Sequence, residues 1–233
     1  MIANSINYSS GIFNINGGMT EKHVKLGNLN GGTVTQMGTN FQIFNAGKGI
    51  QISNTSQANG TFTGTGLFNV ANAMTSLRSS STTFSGCPNN VTPTYDSGNP
   101  NPKLTMAANT TNVWNITGAQ LNGWSTITFN NQPTATQPLV VNVNMAGTFN
   151  WNVPIMAGVG RTNGARHIIW NFYNATTLGI QGNGMVIGSI LAPNATINKT
   201  SSNNVEGQIA CINFSQSNGE IHVAHFNANV KLW

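Results

Sequence analysis

The chain is 233 residues long, enough for one large domain with a full core or for two small ones. Only Glu21, Asp96, Glu206 and Glu220 are acidic, charged residues make up 6% of the chain against about 25% in an ordinary soluble protein, and Asn alone fills 38 positions. Acid–base, hydrolytic and metal chemistry needs clustered carboxylates or histidines, so this composition argues against an enzyme and against a cofactor, and for a neutral, hydrogen-bonding surface.

From the start, Met1-Ile2-Ala3-Asn4 lacks the charged-then-apolar pattern of a leader. The expectation is that a leader has been removed or that export takes another route. Asn-Gly pairs at Asn16-Gly17, Asn30-Gly31, Asn59-Gly60, Asn122-Gly123, Asn163-Gly164, Asn183-Gly184 and Asn218-Gly219 tolerate positive φ and predict tight turns. Between them lie short β-prone runs: Phe41–Phe44, Thr61–Thr65, Ser125–Phe129, Leu139–Val143 and His167–Phe172. This is an all-β pattern with one interruption. Leu67, Val70, Ala71, Met74 and Leu77 follow helical spacing, which predicts one helix over 66–79, ended by Ser79-Ser80-Ser81. Pro88, Pro93, Pro100 and Pro102 make 86–103 a loop.

The last third carries a repeat. Ile190, Ile209 and Ala228 follow one another at equal spacing, with Trp170 one residue further upstream of Ile190 than that spacing. Leu178–Ile180, Thr196-Ile197 and Phe214 fall between these positions. Repeats of roughly 20 residues predict a solenoid of short strands. Ile168, Trp170 and Phe172 would then point inward, with His167, Ile169 and Asn171 outward. Stacked Asn side chains could form ladders. A β-sandwich with irregular strands is the bland alternative.

Few residues offer chemistry. Nine scattered Lys and Arg form no basic stripe, so nucleic acid is an improbable partner. No apolar run reaches the ~18 residues of a membrane span. Cys87 and Cys211 leave two readings open, a long-range disulfide outside the cell or two small buried residues. His222 and His225 lie beside Glu220, but a metal site would need a third ligand such as His23 or His167. Ice binding would need small residues ranked on a flat face. Thr61, Thr63 and Thr65, or Thr126 and Thr128, form only local rows. Trp114, Trp124 and Trp151, with Trp233, Tyr8 and Tyr95, could stack on sugars if exposed, against the alternative of core packing.

A family resemblance sharpens these readings. Gly188-Ser189-Ile190-Leu191-Ala192-Pro193-Asn194-Ala195 resembles the hallmark of choice-of-anchor A domains, also described as ice-binding-like adhesive domains. The run Asn203-Asn204-Val205-Glu206-Gly207-Gln208-Ile209-Ala210-Cys211 and the segment Gly219-Glu220-Ile221-His222 are similar to the motifs that follow it there. Upstream, Ile168 to Thr176 resembles the family's strand and turn. The likeness is closest over 136–230 and looser over 12–135, where Gly27-Asn28-Leu29-Asn30-Gly31-Gly32 stands in for an early coil.

The resemblance implies a right-handed parallel β-helix over 1–233, with one long α-helix along its side and the Glu220–His222 pair bonding backbone groups at the closing coil. It also implies an extracellular or cell-surface setting. Val230-Lys231-Leu232-Trp233 carries no LPxTG-type anchor, so the expectation is an anchor elsewhere or retention by assembly. The expected function is non-enzymatic: an adhesin or matrix protein that binds a glycan, a host or matrix protein, or copies of itself. Ice binding is the alternative, and a carbohydrate-active enzyme a more distant one.

Overall fold

A computed structural model of the protein describes residues 1–8, 11–16, 24–63 and 69–231. The expectations resting on Gly17, Glu21, His23, Thr65, Leu67 and Trp233 lie outside the described residues. The chain is mostly β with few helices and divides into two compact units, Met1–Met74 and Thr75–Trp233.

The first unit contains β1 (Ile2–Ser5), β2 (Ile12–Ile15), β3 (Lys25–Asn28), β4 (Thr33–Met37), β5 (Asn40–Asn45) and β6 (Lys48–Ile52). β1 pairs with β3 and β2 with β6, both in parallel, but β4, β5 and β6 form antiparallel hairpins. Two-residue loops cause this. At the β5–β6 turn, Ala46 and Gly47 take φ of 49° and 74°, the two positive values that match strand twist. No Asn-Gly pair marks either hairpin, so the sequence reading expected coils here. Alternating Phe41, Ile43, Ile50 and Ile52 close a small core with Val24, Leu26 and Phe62. The strand expected over Thr61–Thr65 is reduced, among the described residues, to a bridge from Thr63 to Leu26.

α1 (Val70–Ser85) spans 16 residues and passes the serine run instead of stopping there. The helix is short, not long. It is followed by β7 (Lys103–Leu104), β8 (Asn112–Thr117), a five-residue α2 (Gly118–Asn122), β9 (Thr126–Phe129), β10 (Leu139–Asn144), β11 (Gly147–Asn152) and β12 (Ile155–Ala157). A 3-10 turn at Ala165–His167 leads to β13 (Ile168–Asn171), β14 (Ala175–Gln181), β15 (Val186–Ile187), β16 (Ser189–Lys199), β17 (Val205–Glu206), β18 (Ile209–Gln216) and β19 (Ile221–His222).

Every pairing among β7 to β19 is parallel. β8, β10, β13, β16 and β18 stack in that order, and β11, β14, β16 and β18 stack beside them. β16 and β18 bend between Ala192 and Thr196 and serve both stacks, so the sheet curls. Two short ladders, β7–β9–β12 and β15–β17–β19, complete the set. The arrangement is compatible with a β-helix. Trp170, Ile190 and Ile209 lie in one register, as the repeat predicts. Ala228 does not join them. Among the described residues after β19, through Lys231, no strand forms, and Asn227 N donates to Arg166 O instead.

Ile168, Trp170 and Phe172 point into the core with Trp151, Leu178, Ile180 and Ile197. Asn171, expected to face solvent, is fully buried, because α1 covers it. Asn171 Nδ2 donates to Ser81 O at 2.9 Å and to Asn142 Oδ1 at 2.8 Å, while Ser81 Oγ donates back at 2.5 Å. Asn142 Nδ2 donates to Phe84 O and to Asn115 Oδ1, and Asn115 Nδ2 donates to Cys87 O. Contacts of the helix and of the turn that follows it therefore fall at Ser81, Phe84 and Cys87, with Arg78 Nε donating to Asn194 Oδ1 one step earlier. Three helical residues rise about 4.5 Å, and neighbouring strands lie about 4.8 Å apart. The helix thus crosses one strand every three residues, and an amide ladder satisfies the carbonyls at its end. This is why the serines do not break it: Ser81 is held by tertiary hydrogen bonds.

Candidate functional site

At the β8 end, Thr117 opens α2 with a capping box. Gln120 N donates to Thr117 Oγ1 and Thr117 N donates to Gln120 Oε1. This short helix turns the chain so that Trp124 lies flat on Trp114, with ring centroids 5.1 Å apart and planes 9° from parallel. Both rings belong to the core and lie beneath a shallow cleft of about 210 Å³, with Tyr95, Thr92, Asn89 and Gln120 around it. Trp114 is 3% and Trp124 9% exposed, whereas Tyr95 is half-exposed. No charged side chain lines the cleft.

Trp151 takes no part in this. It is fully buried, 5.1 Å from Trp170 and 5.2 Å from Phe172, and its Nε1 has no partner. Its place at an inward position of β11 makes it core, which corrects the expectation of a sugar platform there. Cys87 and Cys211 are also separate thiols. Cys87 O is held by Asn115 on β8, and Cys211 sits opposite Ala192 on β16, with β10 and β13 intervening. Strand spacings put them well beyond the ~7 Å Cα limit of a disulfide. Burial raises both thiol pKa values, that of Cys211 to about 12.

The remaining motif residues hold strands together. Gly188 has φ of 118°, and a Cβ there would stand 2.8 Å from the Ile168 side chain. A Cβ on Gly207 would stand 2.3 Å from Gly188 O, closer still, so both glycines allow adjacent turns of chain to touch. Ile190 and Ala192 enter the core, Leu191 and Pro193 are buried, and Ser189 Oγ accepts from Gln208 N. Gly219 lies against the Lys199 amine. That amine is buried without a carboxylate, donates to Ser201 O and Asn218 O, and has its pKa lowered by burial.

Glu220 and His222 do not bond backbone groups through their side chains, as the resemblance implied. His222 Nε2 meets Glu220 Oε2 at 2.7 Å, and Nδ1 meets Glu206 Oε1 at 3.0 Å. The Glu206–His222 register of β17 and β19 brings them together. The hydrogen bond to Glu220 chiefly raises the His222 pKa, Glu206 adds to the rise, and burial opposes it. Both ring nitrogens are taken by carboxylates, an ion-pair clasp and not an open ligand set.

One feature escaped the sequence reading. Thr148, Thr177 and Thr196 fall opposite one another on β11, β14 and β16, followed by Asn213 on β18. Asn150, Gly179, Asn198 and Ser215 form the next row. Polar alternation in 147–152 and 175–181 signals this face, but only once the strands are aligned. Thr126 and Thr128, like Thr177 and Thr196, are half-buried, but no further Thr continues their row on β12, where they face Ile155 and Ala157.

The family model described as "Putative Ice-binding-like adhesive domain" matches residues 3–223. The chain belongs to that family. Among curated proteins no match was found. An adhesive domain of this family is suited to a surface role, and no helix among the described residues is long and apolar enough to cross a membrane.

Proposed function

We propose that the chain is a non-enzymatic, extracellular surface domain, a right-handed β-helix that presents a rigid, low-charge surface to a glycan, to a host or matrix protein, or to copies of itself. Right-handedness follows the general rule for parallel crossovers. The observation that carries the reading is the fate of the carboxylates. Asp96 is paired with Lys103, and Glu206 and Glu220 with His222, so each described acid is already committed to an ion pair. Amide ladders such as Asn115–Asn142–Asn171 fix polar side chains in place of charges. A surface ordered before contact loses less entropy on binding. The test is binding of the purified chain to surfaces coated with neutral glycans, collagen or fibronectin, with light scattering across concentration. Saturable capture or reversible polymers support the reading; a monomer that binds none of these surfaces overturns it.

The Thr148–Thr177–Thr196 row favours ice binding as a second reading, because it ranks small hydroxyls at strand spacing on one sheet face. Thermal hysteresis and recrystallisation assays decide it. Thr177→Lys should abolish any such activity while leaving the melting temperature nearly unchanged.

A further inference from the structure

We infer that Lys199 and Asn218 form a covalent cross-link between the end of β16 and the turn after β18, a modification that does not depend on what the surface binds. The Lys199 side chain is 1% exposed, and no described carboxylate pairs with it. Its Nζ donates to Ser201 O and to Asn218 O, each at 2.7 Å. Asn218 is exposed and is followed by Gly219. A residue without a side chain leaves its amide nitrogen open to the carboxamide before it, so an Asn-Gly pair closes on itself more readily than other Asn pairs. Gly219 has φ of 67°, and a Cβ there would collide with Lys199 Nζ. The same glycine therefore lets the amine lie against the peptide group that joins residues 218 and 219.

The chemistry balances without an oxidant or a cofactor. Gly219 N attacks Asn218 Cγ, the carboxamide nitrogen leaves as ammonia with the Gly219 amide proton, and a five-membered succinimide ring forms. Lys199 Nζ in its neutral form then attacks the ring carbonyl that derives from the Asn218 main chain, the one whose oxygen it already contacts. The bond from that carbon to Gly219 N breaks, and a proton passes from Nζ to Gly219 N. Lys199 Nζ is left in an amide with the Asn218 main-chain carbonyl, while the chain runs on to Gly219 through the Asn218 side-chain carbonyl. The net change is the loss of one ammonia. Burial lowers the Lys199 pKa, which raises the share of neutral amine. A well-oriented internal nucleophile reaches effective concentrations of about 10⁵ M or more, so ring opening by the amine outruns ring opening by water. The product ties β18 to β16 covalently, where Cys87 and Cys211 stay separate thiols.

Mass spectrometry of the purified full chain, fresh and after days at mildly alkaline pH, tests this. By the end of ageing the intact mass should have fallen by one ammonia and should stay there, whereas an uncaptured succinimide hydrolyses to aspartate or isoaspartate. Trypsin should no longer cut after Lys199 in the denatured chain. A glutamate-specific protease severs the chain at Glu206, between the two residues, yet the Lys199 and Asn218 peptides should remain joined. Asn218→Gln, at an exposed position, should fold as wild type does and keep its full mass, because the larger ring closes far more slowly. Lys199→Arg keeps hydrogen-bond donors but not the nucleophile, so it should accumulate aspartate and isoaspartate at position 218. A wild-type chain that keeps its full mass overturns the inference, as does one that ends in isoaspartate with Lys199 still cut by trypsin. Joined peptides that persist in Asn218→Gln would place the electrophile at Gln216, which faces Lys199 across β16 and β18, and would overturn the assignment to Asn218.

Discussion

The two ends of the parallel stack in the second unit are finished differently. At the β8 end the exposed edge is covered by loop residues whose side chains imitate a strand. Asn90 Oδ1 accepts from Val113 N at 2.6 Å, Asn90 Nδ2 donates to Thr111 O, and Asn89 Oδ1 accepts from Asn115 N. Asn101 Oδ1 does the same for Ser125 N and Thr126 N. At the other end β18 pairs with β16, and among the described residues no strand pairs with its far edge. Ile212 is 53% and Phe214 36% exposed there. A covered edge cannot recruit another chain, and an uncovered one can. The asparagines therefore serve both as stack-internal ladders and as an end cap.

The largest effect is expected where ladder and helix meet. Asn142→Ala removes donations to Phe84 O and Asn115 Oδ1 and strips Asn171 of an acceptor, all in buried surroundings. Unpaired buried groups cost about 1–3 kcal/mol each, and members of a network are coupled, so a loss of about 3 kcal/mol is expected in urea unfolding. The amide ladder ends where Asn171 faces Leu191, and Leu191 in turn faces Ala210. Hydrogen exchange should therefore accelerate in β8, β10 and β13 before it does in β18.

Asn90→Ala tests the cap itself. It removes the bonds to Val113 N and Thr111 O and should cost about 1–2 kcal/mol. It also bares part of the β8 edge. Light scattering should then show association at both ends, and a variant that stays as monodisperse as wild type would show the cap to be dispensable.

The β8-to-β18 stack was legible where its period is constant. Trp170, Ile190 and Ile209 align because only tight corners separate them. Asn142 to Asn171 spans 29 residues and Asn115 to Asn142 spans 27, since the loops at 130–138 and 158–167 add length without changing the register. A fixed period could not find those turns, nor the Thr148 row that depends on them. The helix end was misplaced because Ser79-Ser80-Ser81 has poor intrinsic propensity, whereas the stabilising partner, Asn171, lies 90 residues away. For the cleft, the aromatic residue types were visible. Which Trp residues meet was not, since stacking depends on α2 turning Trp124 onto Trp114, while Trp151 occupies an inward strand position.

Near the uncovered end, the His222 clasp makes stability depend on pH. The folded-state pKa of His222 is raised above its ordinary value of about 6.5. Its contribution is therefore fully present below that unfolded value and is lost as pH rises through the folded pKa. The His222 side chain is 48% exposed, so solvent screens the pairs and the effect should stay under about 1 kcal/mol. Melting temperature should fall between pH 5.5 and pH 8.5, and His222→Gln should flatten that slope. An unchanged slope would show that the clasp does not stabilise the fold.

The smallest effect on stability, and the sharpest on the comparison of ends, should come from Ile212→Lys with Phe214→Lys. Both side chains are exposed on β18, the end strand of the stack, so their replacement should change unfolding free energy by no more than about 0.5 kcal/mol. Charge on an edge strand opposes pairing with a further strand, because each new copy would bury or crowd the ammonium groups. If wild type associates through β18, electron microscopy and light scattering will show its polymers vanish in the double variant, whereas the same two substitutions added to Asn90→Ala will only shorten the polymers of that variant. Polymers that persist in the double variant would mean that contact is made on a flank, and the Thr148 row, exposed at Thr148 and Asn213, is the flank to substitute next.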